Sequence, residues 1–209
     1  MSQQPALFPC GELTLEGVWH LPDGEGPFPA VVVCHPHPLY GGDMHSSVVV
    51  TVSHTLAQKS IIVFRFNFRG VGRSQGSYAE GIGEQKDVRS ALFALASDDR
   101  VATGRIGLAG YSFGAGVALP VAPEDERVVA LAAISPPPQA LEPLKDYPRP
   151  KLILVGSEDA FMPPEELERL AGELPQPTRF EIVNGPDHFW WGYEGQAAQM
   201  VADFFAEML

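Results

Sequence analysis

Apolar and polar positions alternate along this chain in short blocks of two kinds. Leu13-Thr14-Leu15-Glu16-Gly17-Val18-Trp19 has the period-two pattern of a half-exposed strand near a sheet edge. Ala30-Val31-Val32-Val33-Cys34 is apolar throughout, as in a strand covered on both faces, with Cys34 as a small core residue. Further strands are predicted over 61–66, 105–109, 128–134, 151–155 and 179–183. Between them lie helical patterns near 46–59, 83–96 and 113–121. A helix start is marked by Pro163-Pro164-Glu165-Glu166, with acidic residues in its first turn. The helix near 83–96 carries Val88, Leu92 and Leu95 on one face. The last, near 195–208, has the stripe Met200, Val201, Phe204 and Phe205. Buried strands alternating with helices predict an α/β fold, a mostly parallel sheet of about seven strands with helices on both faces. The stretch 135–150 is too short for a helical lid and, with its prolines, reads as a stiff loop.

A chain of 209 residues can bury a sizeable core, and 1–209 reads as one domain. The net charge of −12 argues against a nucleic-acid partner, which requires a basic face. No run of about 18 apolar residues predicts a membrane span, and Met1-Ser2-Gln3-Gln4-Pro5 lacks the pattern of a secretory leader. The only cysteines, Cys10 and Cys34, form no metal or redox spacing. The expectation is a protein of the reducing cytoplasm.

The candidate chemistry is nucleophilic. Ser112 lies in Gly110-Tyr111-Ser112-Phe113-Gly114, directly after a buried strand and directly before a helix. That context favours a strained turn presenting a serine hydroxyl, with glycines where side chains would clash. A serine hydroxyl needs a base, a group that orients the base, and donors for the oxyanion. His188, after the last strand, is the candidate base, while His20, His45 and His54 read as structural. Asp159, after strand 151–155, is favoured over Glu158 as the orienting acid. Two histidines in His35-Pro36-His37-Pro38-Leu39-Tyr40-Gly41-Gly42 raise the question of a metal, but the segment itself holds no carboxylate partner, and no metal is expected. An oxyanion loop fits better. Pro36 and Pro38 have no N–H, which leaves His37, Leu39, Tyr40 and the glycines to join the N–H of Phe113. His37 is the favoured second donor, with Tyr40 behind it.

With these residues in place, the chain resembles the α/β-hydrolase superfamily. It is most similar to small lidless bacterial hydrolases, relatives of dienelactone hydrolase. The resemblance rests on HPHPxxGG (His35 to Gly42), NFRGVGRSxG (Asn67 to Gly76) and GYSFG (Gly110 to Gly114), and it spans nearly the whole chain. It implies a Ser–His–Asp triad, acyl-enzyme chemistry and no cofactor, and it makes the loop with Arg69 and Arg73 structural. Dienelactone hydrolase itself uses a cysteine where this chain has Ser112, so that activity is not implied. The expected substrate is a small carboxylic ester or thioester. Without a lid the site should be open and shallow, favouring short acyl groups, with Tyr40, Phe113, Phe161, Met162 and Trp190 as a wall or as ordinary core and rim. A peptidase, an acyltransferase and a non-catalytic binding module are the alternatives.

Overall fold

The fold is an eight-stranded sheet between two layers of helices. It is described from a computed structural model covering residues 1–209, the side chain at position 171 excepted. The strands are β1 (Ser2–Cys10), β2 (Leu13–Leu21), β3 (Phe28–Cys34), β4 (Ile62–Phe66), β5 (Val101–Tyr111), β6 (Val128–Ile134), β7 (Lys151–Gly156) and β8 (Thr178–Val183). Their order across the sheet is β1-β2-β4-β3-β5-β6-β7-β8. The pairs β1–β2 and β2–β4 are antiparallel, and the other neighbours are parallel. The helices are α1 (Ser47–Gln58), α2 (Ile82–Ala96), α3 (Phe113–Val121), α4 (Pro164–Ala171) and α5 (Glu194–Met208).

Parallel neighbours need crossovers, and the helices that supply them bury both faces of the sheet. That is why β3 is apolar throughout. Its Ala30, Val32 and Cys34 join the core under α2 and α3, with Val88, Leu92 and Ala118. Its Val31 and Val33 join the core under α1 and α5, with Val52, Leu56, Val201 and Phe205. Of the stripe expected on α5, Val201, Phe204 and Phe205 are buried and Met200 is partly covered. Gly107 on β5 admits Phe205, because a Cβ there would lie 2.4 Å from its ring.

The sheet is mostly parallel, as expected, and its eight strands include one that the pattern does not predict: β1 pairs along the whole of β2 and takes the edge, with β2 next to it, near the edge as expected. The mostly exposed β1 tolerates Pro5 and Pro9 as an edge strand can. The stretch 135–150 is more than a loop. Pro138–Asp146 winds as a 3-10 helix, whose three-residue period puts Leu141 and Leu144 on one buried face.

Candidate active site

The parallel strands all deliver their following loops to one edge of the sheet. Ser112 stands between β5 and α3 with φ 53° and ψ −119°, a backbone state that a residue with a side chain rarely adopts. The surroundings enforce it. A Cβ on Gly114 would lie 2.4 Å from the Cys34 carbonyl oxygen, and one on Gly110 would lie 2.5 Å from the Ala115 nitrogen. The Ser112 N–H donates to the Ile134 carbonyl at 2.9 Å, and its carbonyl accepts from Gly116 at 3.0 Å. The turn is thus tied to β6 and to the first turn of α3.

Ser112 Oγ lies 2.8 Å from His188 Nε2. His188 Nδ1 lies 3.0 and 3.1 Å from the two carboxylate oxygens of Asp159. With Nδ1–H donating to the carboxylate, Nε2 is left to accept the serine proton. Asp159 is buried, whereas Glu158 beside it is exposed. Burial raises the Asp159 pKa, but hydrogen bonds from His188, Ser135 and the Phe161 N–H together outweigh it, and the carboxyl is held below its ordinary range. Its Oδ1 also accepts from Phe161 N–H at 2.9 Å and Met162 N–H at 3.1 Å. The Tyr111 hydroxyl donates to the His188 carbonyl at 2.8 Å, which fixes the histidine's backbone.

Sequence reasoning missed Ser135, the residue after β6. It is buried, has φ 46°, and its hydroxyl accepts the indole N–H of buried Trp190 at 2.9 Å. Its own proton serves Asp159. No local pattern marks it, because its partners lie 24 and 55 positions along the chain.

The His35 to Gly42 loop turns across the mouth of the site. Four of its N–H groups are taken up internally. Leu39 donates to His37 Nδ1 (3.2 Å), Tyr40 to the His37 carbonyl (3.1 Å), Gly41 to the Pro38 carbonyl (3.2 Å) and Gly42 to the His37 carbonyl (3.0 Å). Tyr40 is therefore corrected as a donor, although its ring still lines the cavity. The N–H groups of His37 and of Phe113, the first residue of α3, have no protein acceptor among the described residues. The His37 ring is walled by Tyr40 (4.8 Å), Phe113 (4.7 Å) and Tyr78 (5.3 Å), and burial lowers its pKa. His35 has both nitrogens occupied, by the Pro36 carbonyl at 2.7 Å and the Phe68 N–H at 3.0 Å. The second of these bonds ties the histidine loop to the Asn67 to Gly76 loop. There Arg69 grips Asp87 at 2.7 Å. No cluster of three or more His, Cys, Asp or Glu able to hold a metal occurs among the described residues.

The site opens into a cavity of about 1110 Å³, larger than a shallow site implies. Tyr40, Phe113 and Phe161 line it, while Met162 and Trp190 follow the other reading given for these residues and are buried in the core. Phe189 and Trp191 line it in their place. Those two positions and Trp190 are consecutive aromatics, and the positive φ of Trp190 (59°) turns its ring inward while its neighbours point out.

This fold and geometry define a class, and comparison with known proteins agrees. Residues 30–198 match the model of an alpha/beta hydrolase domain, and the chain belongs to that family. It is 34% identical over 172 residues to an uncharacterized protein from Rickettsia prowazekii, covering 78% of this chain and 72% of the relative. Among solved structures it is similar to an alpha-beta serine hydrolase homologue from Coxiella burnetii, with TM-score 0.88, 31% identity and 97% of each chain covered. It is also similar to a serine hydrolase without a lid from Xanthomonas campestris, with TM-score 0.87 and 28% identity over 100% of this chain and 96% of that one.

Proposed function

We propose that this alpha/beta hydrolase is a carboxylesterase acting on small-molecule esters through a Ser112–His188–Asp159 triad. The observation that carries this reading is the unbroken chain of contacts from Ser112 Oγ through the imidazole to the buried carboxylate. His188 Nε2 takes the serine proton as Oγ attacks the carbonyl carbon. The negative oxygen turns to the N–H groups of Phe113 and His37, neither of which has a protein acceptor among the described residues. Each such donor contributes roughly 10²–10³ in rate. The C–O bond to the alcohol then breaks, and His188 gives its proton to the departing oxygen. Water, deprotonated by the same imidazole, releases the acid and restores Ser112. Asp159 keeps Nδ1 protonated and stabilises the imidazolium.

The reading is tested by Ser112→Ala on a panel of esters, thioesters and amides. Ester hydrolysis should fall by about 10⁴ or more, with the circular dichroism unchanged. A folded variant retaining the wild-type rate would refute it, and a panel cleaved mainly at amides would move the assignment to an amidase.

A further inference from the structure

The geometry points to a specificity determinant on the alcohol side of the ester. We infer that Phe161, Phe189 and Trp191 form a receptor for an uncharged aromatic or bulky apolar leaving group. This rests on the triad reading above, since that reading fixes which part of the substrate lies where.

In that mechanism the departing oxygen must come within hydrogen-bond reach of His188 Nε2, because it receives its proton there. The carbonyl oxygen is held on the other side, at the N–H groups of Phe113 and His37. The leaving group therefore lies over the residues around His188. Those residues are aromatic. The Phe161 ring centre is 4.5 Å from the imidazole and that of Phe189 is 5.8 Å away. Trp191 stacks on Phe189 at 5.4 Å with an interplanar angle of 26°.

These rings are not serving the core. Phe161 is 65% exposed, Phe189 49% and Trp191 74%, and all three line the cavity. Such a cluster of exposed aromatics marks a contact surface. On the oxyanion side three rings behave differently. His37, Tyr78 and Phe113 pack on one another within 4.7 to 5.9 Å and Phe113 reaches Phe68, so these three hold their own loop, while Tyr40 beside His37 stays exposed as a lone ring rather than a cluster.

Charge completes the picture. Among the described residues no Asp, Glu, Lys or Arg lines the cavity, and the chain carries −12 overall. A carboxylate or phosphate on the leaving group would find no cation and an unfavourable field. A neutral ring can stack on Trp191 and Phe189 and leave water as it binds.

The test compares benzyl acetate with ethyl acetate, and ethyl phenylacetate as the counterpart with the ring on the acyl side. Wild-type protein should show kcat/KM about tenfold or more higher for benzyl acetate than for either ethyl ester. Trp191→Ala and Phe189→Ala should each lower the benzyl-to-ethyl ratio severalfold, and 4-carboxybenzyl acetate should be a poorer substrate than benzyl acetate. Ser112-dependent hydrolysis with no benzyl preference, a preference that follows the acyl ring, or variants that lower all esters equally would overturn the inference and leave the esterase reading standing. Hydrolysis of none of the esters, or hydrolysis unaffected by Ser112→Ala, would overturn both.

Discussion

At the scale of single residues, backbone strain gathers around the hydrogen-bonded chain. Ser112, Ser135 and Trp190 all have positive φ, at 53°, 46° and 59°. Each such state costs on the order of 1–3 kcal/mol and persists only where the surroundings enforce it. For Ser135 and Trp190 the enforcement is mutual, through a hydroxyl–indole hydrogen bond inside the core. The Ser135 hydroxyl also helps keep Asp159 ionised. Ser135→Ala removes that donor, and the Asp159 pKa should rise toward its ordinary value. The Asp159 carboxyl resonance in ¹³C-labelled protein should then titrate at higher pH than in the wild type, with kcat down about tenfold, and Ser135→Thr should restore both. A merely structural role would lower kcat without moving the Asp159 titration, and an unmoved titration would exclude the positioning role. Ser135 could not be found from the sequence, because its significance exists only once β6, β7 and the His188 loop end side by side. The Phe189-Trp190-Trp191 run was ambiguous for a related reason. Three consecutive aromatics do not reveal which one a positive φ turns inward.

At the scale of elements, what could be read from the sequence was what is local. The strand, turn and helix around Ser112 are contiguous, so one stretch from Ile106 to Val121 carries apolar run, glycines and helix together. The parallel strands were legible because burial on both faces makes them apolar throughout. Asp159 and His188 were legible as polar residues just past the ends of β7 and β8. The edge strand β1 was not, since an exposed strand containing Pro5 and Pro9 has neither an apolar run nor a clean alternation. The 3-10 helix of Pro138–Asp146 was hidden by prolines that read as breakers, although two of its apolar residues keep the three-residue period. The oxyanion loop was legible in part. The prolines narrowed its donors, but only the turn formed by Leu39 to Gly42 shows that Tyr40 spends its N–H within the loop.

At the scale of the whole molecule, the histidines outside the site bear on stability. His20 and His35 are buried, and burial lowers the pKa of each to about 4. His20 also accepts from the Arg65 guanidinium at 2.8 Å, so a proton on its ring would sit beside a buried cation. In the unfolded chain both take up a proton near pH 6.5. The unfolded state therefore binds more protons between about pH 6.5 and 4, and stability falls as pH drops through that window. Roughly 2 kcal/mol from each histidine should be lost between pH 7 and 5, measured by urea unfolding at the two values. Equal stability at both would mean that the two imidazoles are not buried in neutral form.

The central claim is that the whole fold converges on one reactive hydroxyl, and it can be read by covalent capture. A fluorophosphonate forms a bond only to a serine whose proton has somewhere to go and whose product oxyanion has donors waiting. Intact-mass analysis of the native protein should show a single phosphonyl adduct, mapped by peptide sequencing to Ser112. The adduct should be absent from folded Ser112→Ala and much slower to form in His188→Ala. Native, folded protein that takes up no adduct, or an adduct that survives in Ser112→Ala, would contradict the account.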